Sequence, residues 1–210
     1  NSQVLNANWD VDLYDFDKAE KDTSEKFIKE LMTNKKGELK KYLGMETIDS
    51  TKADTSSANG LLYYAAQSGS PEALLLIARS YEKGLIFPKD IAKAASYYLQ
   101  ANRLGSYKAG QILYKLVQSD AFINQLKEKV TKNDPDAMYA WAGITALGYS
   151  NQIVTQQALE FLRKAVEKKY VPAMIEIGLL YLNGNVVEKD KEKAFYYWNL
   201  AKSAGSKEAE

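Results

Sequence analysis

The chain has 210 residues, enough to bury a sizeable core, and 46% of them are hydrophobic. Its 28 Lys and Arg nearly cancel its 27 Asp and Glu, and the net charge of +1 gives no basis for a nucleic-acid partner. Cysteine and histidine are both absent, which removes disulfides, thiol nucleophiles, the usual catalytic triads and zinc sites, and no apolar run reaches the roughly 18 residues that a membrane-spanning helix requires.

Residues 1–36 read as an acidic segment followed by a capping helix. Asp10, Asp12, Asp15 and Asp17 stand among Trp9, Val11, Leu13, Tyr14 and Phe16. Acids so spaced suggest calcium, but the glycine and the closing glutamate of an EF-hand loop are missing. The expectation is therefore a cap whose apolar side chains dock on the first repeat while the carboxylates stay in water. A helix is expected from Thr23 or Ser24 through Phe27, Ile28, Leu31 and Met32, ending near Asn34 or Gly37. The first residue is Asn1 rather than methionine, which fits a mature exported protein or a trimmed chain; export is the expectation favoured here.

Residues 37–72 form a degenerate first repeat. Asp54, Ala58, Ala65 and Gly69 each precede Asp90, Ala94, Ala101 and Gly105 by 36 residues. Glu38 to Met45 keeps helical character, and Thr47 to Ser57 reads as a polar loop.

Residues 73–210 carry the period openly, with hairpins expected to start near Ala73, Ala109, Ala137 and Ala173. Ala73 to Ala109, Ala137 to Ala173 and Ala173 to Ala209 are each 36 residues, whereas Ala109 to Ala137 is 28, so one hairpin is shortened. Its turn is expected at Gln118-Ser119-Asp120 with Asp120 as cap, and Asn133 replaces the closing glycine. In the hairpin starting at Ala137, Val154 takes the capping aspartate position and Thr155 is expected to cap instead.

The last unit shows the pattern at its clearest. Ala173, Ile177, Gly178 and Tyr181 share one helical face, Gly184 ends that helix, Asp190 caps the next, and Ala194, Tyr197, Trp198 and Ala201 share a second face. A hundred residues earlier stand Ala73, Ala78, Tyr81, Gly84, Asp90, Ala94, Tyr98, Ala101 and Gly105. Pro71, Pro135 and Pro172 fall at the starts of first helices, where a missing N–H is harmless. The pairs and triplets Tyr63-Tyr64, Tyr97-Tyr98 and Tyr196-Tyr197-Trp198 place at least one ring each in the packing between helices. Asp134 and Asp136, a visible acidic pair, read as helix-capping residues rather than acid/base apparatus.

These residues resemble the Sel1-like repeat, a relative of the tetratricopeptide repeat. The match runs through Ala173, Ile177-Gly178, Leu180-Tyr181, Gly184, Val187, Asp190, Lys193-Ala194, Trp198, Ala201 and Gly205. The resemblance covers about residues 50–210 and implies an all-α fold, an α/α superhelix (solenoid) of antiparallel hairpins. It further implies that the first helices line a concave wall. Positions on those helices opposite the Ala/Gly/Tyr face are then the expected partner-binding residues: Leu75, Arg79 and Glu82; Gln111, Lys115 and Gln118; Tyr139 and Gly143; Ile175, Leu179, Leu182 and Asn183. Tyr139 and Arg79 are the expected anchors.

The resemblance points to a non-enzymatic scaffold for a protein partner, in a bacterial envelope, secretion or host-interaction setting. An immunity or inhibitor protein neutralising a toxin is the alternative. A hydrolase of β-lactamase type ranks last, because its serine motifs are not evident. No metal or cofactor is expected. The sequence Gly205-Ser206-Lys207-Glu208-Ala209 opens a further hairpin that the chain does not complete, so either continuation past Glu210 or cover by a second chain is expected.

Overall fold

The structure, a computed structural model, describes residues 24–34, 39, 43, 57–152, 154–184 and 186–206. The acidic segment, most of the polar loop before Ser57 and the residues after Ser206 lie outside the described residues. Ten helices follow one another without a strand among the described residues: α1 (Glu25–Asn34), α2 (Ala58–Gln67), α3 (Pro71–Lys83), α4 (Ile91–Arg103), α5 (Tyr107–Val117), α6 (Asp120–Thr131), α7 (Pro135–Ala146), α8 (Thr155–Glu167), α9 (Val171–Asn183) and α10 (Lys191–Ser203). The fold is an all-α solenoid.

Local chemistry sets the helix ends. Ser70, Ser106 and Asp134 accept from the amides of Ala73, Ala109 and Ala137 at 3.2, 3.3 and 3.2 Å. Asp90 accepts from Ala92 and Lys93 at 3.0 and 3.2 Å, and Asp190 from Lys193 at 2.9 Å. Each bond satisfies an amide that the helix itself leaves open. The connection from α3 to α4 and that from α9 to α10 share their closing glycine and their returning aspartate. Gly84 and Gly184 close the helices at φ 67° and 74°, and the amides of Asp90 and Asp190 return to the carbonyls of Tyr81 and Tyr181 at 3.0 and 2.9 Å. Asn133 does stand in for a closing glycine, at φ 57°. Lys169 does the same at φ 60°, a position that nothing in its side chain foretells.

Two capping expectations are corrected. Ser119, not Asp120, takes the extended cap conformation ahead of α6, and its side chain makes no capping bond. The turn is only Gln118-Ser119, so Asp120 already lies inside the helix and contributes charge to its first turn. Thr155 is likewise the first residue of α8; Val154 occupies the cap, with no side-chain acceptor to offer.

The helices α3 with α4, α7 with α8, and α9 with α10 pack as antiparallel hairpins. The short unit behaves differently: α5 and α6 touch each other sparingly, and α4 packs directly on α7 past them. Lys129 on α6 joins the caps on either side, 3.1 Å from Asp90 and 3.8 Å from Asp134. The main core runs through Ile28, Leu61, Leu62, Leu76, Ile77, Leu113, Leu126 and Met138, all at most 1% exposed.

Candidate binding surface

On α3 the residues expected to face a partner are enclosed. Every residue from Ala73 to Glu82 is buried, so Leu75, Arg79 and Glu82 do not face solvent. The helix is covered by α1, α2 and α4 together, which leaves it no open side at these positions. Arg79 Nη1 donates to Glu82 Oε2 at 2.7 Å, the Tyr98 hydroxyl donates to the same oxygen at 2.5 Å, and Lys83 Nζ lies 3.1 Å from Oε1. Burial by itself would raise the Glu82 carboxyl; the Arg79 guanidinium and the Tyr98 hydroxyl outweigh it and hold the group below the usual carboxylate value. Burial pushes the fully enclosed Tyr98 phenol well up, and the Glu82 charge adds to this. The cluster is a satisfied buried ion pair that fastens α3 to α4.

Tyr139 is corrected in the same way. It is 2% exposed on α7, with its ring tilted against Tyr170 at 5.8 Å. Tyr170 closes the connection between α8 and α9. Its hydroxyl donates to Asp136 Oδ1 at 2.6 Å and meets the Ser96 hydroxyl at 2.5 Å, to which Gln100 Nε2 donates at 3.1 Å. Burial raises the Asp136 carboxyl above its ordinary value, although the Tyr170 bond works against that rise. Arg79 and Tyr139 are therefore internal braces, and replacing them tests folding rather than binding.

The other expected positions divide. Gln111 and Gly143 are half-buried, while Lys115 and Gln118 are exposed on α5 and its end. On α9, Ile175 is 6% exposed, Leu179 and Leu182 are half-buried, and Asn183 is exposed. Gly143 meets Leu99 so closely that a Cβ there would lie 2.6 Å from Leu99 Cδ1.

Openings in the packed surface include two that are bounded by described residues. The smaller, about 270 Å³, lies between the ends of α2 and α4, the start of α9 and the end of α10, and is walled by Gln67, Gln100, Arg103, Pro172, Ile175 and Ser206. Ile175 is thus the one expected binding residue that lines it. The larger, about 490 Å³, lies under the loop from α9 to α10, against α8, with Leu159, Arg163, Tyr181, Val187, Lys189 and Lys193 on its wall. Sequence phase, applied to first-position helices alone, missed both: the smaller is bounded mainly by helix ends, and the larger by one face of α8 and the loop after α9. The exposed aromatics are elsewhere: Tyr107 and Tyr114 on α5, and Phe195 and Tyr196 on α10, each more than half exposed. Trp198 is turned to α9, its Nε1 donating to the Ile175 carbonyl at 3.3 Å.

Neither opening holds a nucleophile with a base beside it. Among the described residues no group of three or more carboxylates gathers to hold a metal ion, and no helix is long and apolar enough to cross a membrane.

The model of the Sel1 repeat matches residues 71–106, 135–170 and 171–206. The chain belongs to the Sel1 repeat family. The matched Sel1 repeats are the three stacked hairpins, and the short unit formed by α5 and α6 falls between matches. Sel1 repeats are in general protein–protein interaction scaffolds. An uncharacterized protein of Neisseria meningitidis serogroup B is 27% identical over 159 residues, which is 74% of this chain and 34% of the relative. The chain thus spans about a third of the length of that relative. Among solved structures, a Sel1 repeat protein from Oxalobacter formigenes is 24% identical, covers 72% of this chain and 68% of its own, and has a TM-score of 0.41. A protective antigen present in uropathogenic Escherichia coli strains, displaying an SLR fold, is 19% identical, covers 72% and 34%, and also has a TM-score of 0.41.

Proposed function

We propose that this chain is a non-enzymatic scaffold that holds a segment of a partner protein, in a bacterial setting. The observation that carries the reading is the cleft of about 270 Å³ between α2, α4, α9 and α10. Its walls come from helices far apart in sequence, held by the stacking of Sel1 units, so a bound segment touches several repeats at once. Amide and guanidinium groups of Gln67, Gln100 and Arg103 face apolar Pro172 and Ile175 across it. This mixture suits a peptide backbone with intermittent apolar side chains. Rigid walls favour such binding, because little ordering entropy is spent on the scaffold itself.

Gln67 and Ala204 are exposed at the rim of the cleft, so bulk can be added there without disturbing the core. The double variant Gln67→Trp, Ala204→Trp is expected to keep the helical circular dichroism of the parent. It should fail to retain the proteins that the immobilised parent captures from native extract. Identical captured proteins, identified by mass spectrometry, would remove the cleft from consideration.

A further inference from the structure

The α3/α4 and α9/α10 hairpins share their loop geometry and one aromatic arrangement. In the first, Tyr81 stacks on Tyr97 with centroids 5.9 Å apart and planes 8° apart, and Lys93 Nζ sits 5.3 Å from the Tyr81 centroid. In the last, Tyr181 stacks on Tyr197 at 5.8 Å and 8°, with Lys193 Nζ at 5.3 Å. The first hairpin adds two further rings. Phe87 stacks on Tyr81 at 4.8 Å, and Tyr63 from the preceding helix lies 5.5 Å from Phe87. A hundred residues on, Phe87 becomes Val187 and Tyr63 becomes Arg163. Tyr81 is 9% exposed, whereas Tyr181 is only half-buried, and the space beside it is the cavity of about 490 Å³. A vacancy of this size is within the range that holds organic ligands.

The charge of the wall is also changed. Asp190 is committed to Lys193, 3.2 Å away, and to the α10 amides. Arg163 and Lys189 form no salt bridge among the described residues, and Glu188 is the one carboxylate of the rim outside the Asp190 pairing. The empty slot is therefore aromatic on one wall and cationic on its rim.

We infer that this cavity receives a phenylalanine or tyrosine side chain from the partner segment, the ring taking the place that Phe87 fills in the first hairpin, with a neighbouring acidic residue of that segment paired to Arg163 and Lys189. The inference rests on the scaffold reading, and adds to it a second contact and a sequence preference. Stacking on Tyr181 supplies the aromatic selection. The two cations supply the acidic one.

The probe is the blocked tripeptide Ac-Glu-Phe-Glu-NH2, titrated into the whole chain and followed by 15N and methyl NMR. Ac-Glu-Ala-Glu-NH2 and Ac-Lys-Phe-Lys-NH2 serve as controls. The Glu-Phe-Glu peptide should shift the Arg163, Tyr181, Val187 and Lys189 resonances and bind at least about tenfold more tightly than either control. The double variant Arg163→Tyr, Val187→Phe rebuilds the plug of the first hairpin, so it should fold and lose the titration. Equal binding by the alanine control, or by the plugged variant, overturns the aromatic slot. Equal binding by the lysine-flanked control overturns the acidic preference. Failure here is separable from failure of the scaffold reading. A plugged variant that still captures the parent's partners from extract, while the cleft variant does not, removes this inference alone.

Discussion

Gly178→Ala is expected to destabilise the last hairpin, although the same change in an ordinary exposed helix would help it. A Cβ built at Gly178 lies 2.6 Å from Trp198 Cδ1 and 2.9 Å from Cε2, with Nε1 nearer still. The indole must slide, and with it goes the hydrogen bond from Nε1 to the Ile175 carbonyl. Overpacking of this kind costs about 1–3 kcal/mol and the hydrogen bond about 1 kcal/mol, against a helix-propensity gain of about 1 kcal/mol. The net loss is about 1–3 kcal/mol, which for a chain of this size lowers the melting temperature by about 3 °C per kcal/mol. Thermal unfolding followed by circular dichroism reads it directly. The first hairpin shows how the chain accommodates a methyl group there: Ala78 stands where Gly178 does, and the facing ring is Tyr98 rather than Trp198. Trp198→Phe in the Gly178→Ala background should therefore cost less than in the parent, giving a coupling of about 1 kcal/mol. An unchanged or raised melting temperature for Gly178→Ala would refute the close contact, since propensity alone predicts a rise.

Arg79→Met should destabilise the chain by about 3–5 kcal/mol, because Glu82 stays buried without its guanidinium; the triple variant Arg79→Leu, Glu82→Leu, Tyr98→Phe should recover most of that loss in urea unfolding. With its folded pKa below the ordinary value, Glu82 contributes stability that is present above the ordinary carboxylate pKa and lost as pH falls through the lowered one, so the triple variant should resist acid better than the parent. Asp136 has the opposite sign: its raised folded pKa means its contribution is full below the ordinary carboxylate value and declines as pH rises through the raised one, and Asp136→Asn should flatten that part of a urea-stability profile.

The period was legible because it is made of residues with fixed mechanical tasks. Small residues at Ala73, Ala101, Ala173 and Ala201 permit close helix approach, Gly84 and Gly184 take positive φ, and Asp90 and Asp190 cap. Such tasks are local and can be read one residue at a time. The burial of Arg79, Glu82 and Tyr139 was not legible from phase alone. A first helix in a stacked array meets its own second helix on one side and the neighbouring unit on another, so the side opposite the Ala/Gly/Tyr face is covered as well. On α9, the last first-position helix described, Leu179 and Leu182 are half-exposed, and on α5 of the short unit Lys115 and Gln118 are exposed. A signal was nonetheless present. Arg79, Glu82 and Tyr98 become Leu179, Leu182 and Trp198 a hundred residues on, a joint change of two charges and one hydroxyl into apolar groups. A joint change of this kind is what mutual contact among the three would produce. The Ser96, Asp136 and Tyr170 chain offered no comparable signal, because it links two different units and its members occur together once.

The same comparison explains why the last hairpin, rather than the first, carries the open site. The two loops match at the closing glycine and at the aspartate amide returned to the tyrosine carbonyl, so these features do not account for the difference in packing. Side chains account for it. Phe87 and Tyr63 close the first hairpin, their ring centroids 5.5 Å apart. Exchanging the half-buried Phe87 ring for a valine forgoes part of that burial, less than the roughly 3–5 kcal/mol that complete removal of a core phenylalanine costs. At Val187 the loop cannot collapse, because Asp190 ties it to Tyr181 at one end and to α10 at the other. The vacancy is therefore held open by the same bonds that define the repeat. Any ring that enters finds Tyr181 already stacked on Tyr197 and already fixed, so the ordering that packing requires is complete before the partner arrives.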